Sequence, residues 1–289
     1  MDWRGENESQ NIEDRRGSGI GAPHIIGGGI GTIIIAVIVY FLGGNPMQVL
    51  QSSQHMSSSS QSARPANAAD DSLRQFSAVV LKQTEDVWTA VFNKMGQQYQ
   101  KPTLVLFSGN TTSGCGGADA ATGPFYCPAD KKVYLDLSFF EELQDRFNVP
   151  GNFASAYVIA HEVGHHVQDL LGISDKVSRL QARSNEVTGN KLSVKLELQA
   201  DFLAGVWAYY INKERKQNGN PIITDSDIKS ALTAANAIGD DRLQKQAQGY
   251  VAPDSFTHGT SQQRMYWFNK GFQTGDLNQG DTFNDPSLN

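Results

Sequence analysis

The residues with the most chemical content are His161-Glu162-Val163-Gly164-His165. On an α-helix, residues four apart share a face, one turn along. His161 and His165 can therefore grip one metal ion, with Glu162 beside them to take a proton from a water at that ion. The chemistry served is hydrolysis assisted by one zinc ion per chain. Two histidines merely packed in a core helix are the plainer reading, but packing has no use for this spacing or for the glutamate. The other histidines are His24, His55, His166 and His258. His166 lies about 100° round the helix from His165, away from a shared site, and suits packing or hydrogen bonding.

A tetrahedral catalytic zinc takes a third protein ligand and leaves one position for water. An extended motif with a third histidine would need Gly at 168 and His at 171; the chain has Gln168 and Leu171. Downstream, Glu197 and Asp201 are four apart on a helix-patterned stretch from Lys191 to Asn212, among Leu196, Leu198, Phe202, Leu203, Val206 and Trp207. A carboxylate in that apolar setting needs a metal or a cation. Glu197 is expected as the third zinc ligand. Asp201 is expected to accept the free ring N–H of His161 or His165 and so set its tautomer.

The motif at His161–His165, the later Glu197-x-x-Ala-Asp201 and the small pair Ala204-Gly205 resemble the gluzincin class of zinc peptidases. More closely, the chain resembles the bacterial neutral zinc metallopeptidase family, sometimes called YpfJ-like. Three further stretches carry that likeness: Cys115 to Cys127 with Gly123-Pro124-Phe125-Tyr126-Cys127-Pro128, then Val133-Tyr134-Leu135-Asp136, and Thr257-His258-Gly259-Thr260-Ser261-Gln262-Gln263-Arg264. The resemblance spans about residues 70–275. It implies a zincin-like fold and a polypeptide substrate.

The elements that must position these residues follow from periodicity. Phe153–Leu171 reads as an apolar helix with Asn152 as N-cap and Gly172 as its stop. Gly164, with no side chain to fill space beside the ligands, could let another backbone approach closely or carry no meaning. Helices are also expected at Ser72–Met95, Asp225–Ala247 and Gln262–Phe272, and short strands at Thr103–Phe107 and Lys132–Leu137. The fold class is α+β, a small β-sheet packed on a helical bundle carrying HExxH. The strand Lys132–Leu137 could lie along a cleft and pair with an extended peptide, or be an ordinary interior or edge strand.

Ahead of this domain, 71–289, the chain reads differently. Residues 1–24 are a polar tail and 25–44 an uncharged stretch, about 30 Å long as a helix, expected as one transmembrane span. Residues 45–70 form a polar tether containing His55, with no role assigned. Arg4, Arg15 and Arg16 precede the span, and no Lys or Arg follows until Arg64. This predicts a single-pass protein of the bacterial inner membrane, N-terminus cytoplasmic and domain periplasmic or extracellular. Cys115 and Cys127, the chain's only cysteines, could form a disulfide; two free thiols or part of a metal site are the alternatives. A net charge of −6 with interspersed signs offers no nucleic-acid surface.

Catalysis would have Glu162 relay a proton from water to the leaving nitrogen, with His258 as the donor to the oxyanion and Arg264 and Tyr250 as rivals for that task. Two other functions fit the same residues: a non-enzymatic envelope protein whose metal site supports partner binding, and a zinc amidase acting on cell-wall peptides.

Overall fold

A computed structural model describes residues 1, 3–16, 68–145, 152–214, 216–217, 220–221 and 223–288. The fold is α+β, with a small sheet on a helical bundle, as expected. The sheet has the order β1 (Ile12–Asp14), β2 (Thr103–Phe107), β6 (Lys132–Asp136), β5 (Phe125–Cys127). The first three strands run parallel and β5 is antiparallel to β6. Side chains alternate between the faces: Leu104, Leu106, Val133 and Leu135 join the main core, while Val105, Phe107, Tyr134 and Cys127 form a smaller cluster. β3 (Asn110–Ser113) and β4 (Gly116–Asp119) make a separate hairpin. Cys115 in its turn is disulfide-bonded to Cys127 on β5. β6 is paired on both sides, so an extended peptide cannot add there.

The helices are α1 (Ala68–Lys94), α2 (Ser138–Asp145), α3 (Asn152–Leu170), α4 (Ile173–Gln181), α5 (Glu186–Glu214), α6 (Asp225–Ala237), α7 (Asp240–Gln248) and α8 (Ser261–Thr274). Every residue of α3 from Phe153 to Gly164 is buried. That marks a central core helix, and α1, α5 and α6 pack around it. The helix expected over Asp225–Ala247 is two helices. The break falls at Gly239, where a Cβ would lie 2.4 Å from the Ser261 amide nitrogen.

Close backbone approaches bring the functional helices together. A Cβ on Gly164 of α3 would lie 3.0 Å from the Ala200 carbonyl of α5. α5 and α8 meet through reciprocal glycines: a Cβ on Gly205 would be 2.0 Å from the Phe268 carbonyl, and one on Gly271 would be 2.1 Å from the Phe202 carbonyl. No side chain fits at either contact.

The expected membrane anchor is corrected. Among the described residues no helix is long and apolar enough to cross a membrane, and the stretch 25–44 lies outside them. The N-terminal segment belongs to the same folded unit as the rest. β1 pairs with β2, Trp3 is 4 % exposed in the main core, and the Met1 amino group pairs with Asp227. A strand and its sheet neighbour lie on one side of any bilayer, so the single-pass inner-membrane localisation, N-terminus cytoplasmic and domain outside, does not hold. Arg15 and Arg16, which suggested that orientation, have structural partners instead. Arg15 bonds Glu13 and the Thr112 carbonyl, each at 2.8 Å, and Arg16 bonds Asp14 at 2.7 Å and the Asp70 carbonyl at 3.0 Å.

Candidate metal centre

α3 and α5 cross at Gly164 and Ala200, which sets His161 and His165 against Glu197. Both imidazoles present Nε2 to that carboxylate: His161 at 3.1 Å from Oε2 and His165 at 3.4 Å from Oε1. One donor atom from each of the three residues lies within 4.8 Å of the others. Two imidazole nitrogens and one carboxylate oxygen are a donor set suited to a catalytic zinc with an open position. The residues present fit the ion.

Each histidine is tied back through Nδ1. His161 Nδ1 is 2.9 Å from Asp201 Oδ1. Asp201 is buried and also accepts from the Tyr157 hydroxyl and from Arg264, whose Nε is 2.8 Å from Oδ2 and Nη2 3.0 Å from Oδ1. Burial alone would raise this carboxyl, but Arg264 and His161 outweigh that and hold it down at about 2. Asp201 is therefore a permanent acceptor, and His161 carries its proton on Nδ1.

His165 Nδ1 faces Gln168 Oε1 at 2.9 Å. The orientation of that amide follows from its other bonds, because a backbone carbonyl can only accept. Gln168 Nε2 donates to the Leu196 carbonyl at 2.7 Å and to Gln199 Oε1 at 3.1 Å, and Gln199 Nε2 donates to the Gly280 carbonyl at 2.9 Å. The oxygen of Gln168 must then face His165, which sets the proton on Nδ1 and frees Nε2.

Burial disfavours charge on both imidazoles, yet carboxylates surround them. Asp201 and Glu197 push His161 up to about 10, and Glu197 raises His165. A metal must displace these protons, so its binding weakens as pH falls. Glu162, 8 % exposed, has its carboxyl pushed up by burial against the opposing pull of His161 and His165.

His258 sits after α7 on a loop that Asp240 organises. Asp240 Oδ2 accepts the backbone N–H groups of Thr257, His258 and Gly259 at 2.7, 2.6 and 3.1 Å, while Oδ1 is 3.3 Å from His258 Nδ1. The His258 side chain is 47 % exposed. Desolvation opposes its charge, but Asp240 and the nearby Glu197 outweigh that and raise its pKa. Arg264 is 3 % exposed and committed to Asp201, which removes it as an oxyanion donor. Tyr250 is 61 % exposed on the loop after α7. His166 points away from the ligands, as its helical angle predicts. Its Nε2 lies 2.6 Å from the Gln100 carbonyl and its Nδ1 3.0 Å from the Tyr126 hydroxyl, and burial lowers its pKa.

Sequence reasoning missed the supporting roles of Tyr157, Gln168, Gln199 and Asp240, and read Arg264 only as an oxyanion donor. Tyr157 stands one turn before His161 on a buried face, which was a usable signal. Nothing local connects Gln199 to Gly280.

The chain matches over residues 1–283 the family described as "Putative neutral zinc metallopeptidase". It is 48 % identical over 291 residues to the uncharacterized protein YpfJ of Escherichia coli K12, covering 98 % of this chain and 99 % of that one. It is 46 % identical over 204 residues to the uncharacterized protein Mb2605 of Mycobacterium bovis, covering 69 % and 68 %. No solved structure matches the chain. With one family model covering nearly its whole length and a relative this similar end to end, the chain belongs to that zinc metallopeptidase family.

Proposed function

We propose that this protein is a zinc-dependent peptide hydrolase in which His161, His165 and Glu197 hold the ion and Glu162 is the general base. The observation that carries this reading is the convergence of two Nε2 atoms on one carboxylate, with both Nδ1 atoms tied back, beside a buried glutamate of raised pKa. When bound, zinc supplies a Lewis acid and makes water a competent nucleophile near neutral pH. Glu162 accepts the water proton and delivers it to the departing amine, work that suits a carboxyl poised above its ordinary range. His258, whose Nδ1 faces Asp240, has Nε2 to offer as a donor to the developing oxyanion. The free edge of β5, paired only with β6 among the described residues, is where an extended substrate can add a strand.

The test is the full-length protein with Zn2+ and an unstructured polypeptide. Glu162→Gln abolishes cleavage and retains about one zinc per chain, whereas Glu197→Ala loses the zinc. Undiminished cleavage by Glu162→Gln would overturn the mechanism. Activity falls at low pH as Glu162 protonates and at high pH as His258 loses its proton, the alkaline limb lying above the ordinary histidine value of 6.5.

A further inference from the structure

After α8 the chain turns back along α5. Contacts from this C-terminal strap fall on either side of Glu197. Thr282 Oγ1 donates to the Lys195 carbonyl at 2.6 Å, Lys195 Nζ donates to the Phe283 carbonyl at 3.2 Å, and the Gly280 carbonyl accepts from Gln199 at 2.9 Å. Thr282 is fully buried. At Gly280 the strap lies flat on the helix, since a Cβ there would be 2.3 Å from the Phe202 ring. None of these residues is a zinc ligand, yet Gln199 and Gln168 join the Gly280 carbonyl to His165 Nδ1 without a break.

We propose that the strap, residues 276–288, is a positioning element of the metal centre, and that metal binding and strap docking stabilise each other through Gln199 and Gln168. The proposal rests on the zinc reading above. The relay has one polarity. A carbonyl at 280 demands the nitrogen of Gln199, whose oxygen then demands the nitrogen of Gln168, whose oxygen demands a proton on His165 Nδ1. Remove the Gly280 acceptor and Gln199 is free to turn; Gln168, still held by the Leu196 carbonyl, then loses one of its two acceptors, and the oxygen that keeps the proton on His165 Nδ1 is held less firmly. In the other direction, an ion on Nε2 enforces Nδ1–H, and the relay then presents an N–H to Gly280. Such coupling is reciprocal by linkage. Gln168 and Gln199 are thus positioning residues.

The experiment compares the unaltered full-length protein with Gln199→Leu and Thr282→Val. Zn2+ affinity is measured by chelator competition, and amide hydrogen exchange of the strap is followed with and without Zn2+. Gln199→Leu, acting on His165 through Gln168, is expected to weaken zinc binding about 10-fold, the low end for groups that support a ligand, and Thr282→Val to weaken it less, in the same direction. Zinc is expected to slow exchange in the strap of the unaltered protein, and this protection disappears in Gln199→Leu. A purely structural bond would lower stability without making strap exchange depend on zinc. If Gln199→Leu does not fold, Thr282→Val and the zinc-dependent exchange decide the matter. Unchanged zinc affinity in the variants, or strap exchange indifferent to zinc, overturns the coupling and leaves the zinc reading standing. Failure of the unaltered protein to bind zinc overturns both.

Discussion

The two histidines of α3 are held by different chemistry. His161 is backed by a buried ionic group in which Asp201 accepts from Tyr157, Arg264 and the imidazole itself. His165 is backed by neutral amides, Gln168 and then Gln199, ending on a backbone carbonyl. A carboxylate raises the basicity of the imidazole it holds, whereas an amide mainly orients it. The ionic support needs both charges, because either one alone would be buried without its counter-charge. The amide support can lose a bond more gently. One helix thus carries two imidazoles of equal identity and unequal electrostatics.

The largest break in this asymmetry is Asp201→Ala. It strands the Arg264 guanidinium, 3 % exposed, and should cost about 3–5 kcal/mol in urea denaturation of the metal-free protein. A loss below about 1 kcal/mol would show that Arg264 finds another partner. Gln168→Leu is expected to cost less, about 1–3 kcal/mol, by leaving the Leu196 carbonyl and Gln199 without their donor.

The pH dependence separates the supports by sign. Asp201 sits at about 2, below its ordinary 3.8, so its contribution is present above 3.8 and is lost as pH falls towards 2. His161 in the metal-free protein is raised from 6.5 to about 10. Its contribution is complete below 6.5 and is lost as pH rises through about 10. Asp201→Asn should therefore flatten both limbs of the metal-free stability profile, and Gln168→Leu should lower the profile without changing its shape. A Gln168→Leu curve that loses its limbs would erase the distinction. The smallest effect belongs to Gly164→Ala, whose Cβ meets the Ala200 carbonyl at 3.0 Å. A shift of a few tenths of an ångström there should cost about 1 kcal/mol, seen as a small fall in Tm.

The candidate ligand set was legible because its geometry is local. Four-residue spacing brings His161 to His165 on one helix and Glu197 to Asp201 on another, and apolar neighbours marked both as buried. The α+β class and the strand Thr103–Phe107 were read from periodicity for the same reason. The errors fall where meaning depends on distant partners. Ile12-Glu13-Asp14 is too short to announce a strand, and it exists because β2 offers an unpaired edge. Arg15 and Arg16 looked like charges flanking a membrane span, while their carboxylate and carbonyl partners come partly from residues far along the chain. Gly239 splits one expected helix because α8 arrives there.

Residue spacing alone settled which side chains could share a helix face, and hence two imidazoles, a base and a pair of carboxylates at turn spacing. That follows from the fixed rise and twist of the α-helix. Packing between distant segments settled which imidazole meets Asp201, that Arg264 serves that carboxylate, and that the amide chain behind His165 ends on the C-terminal strap. Those outcomes depend on where backbones can touch, at Gly164 with Ala200, at Gly205 with Phe268 and at Gly271 with Phe202, and on which buried acceptors remain to be satisfied once they do. Neither condition leaves a periodic trace in the chain.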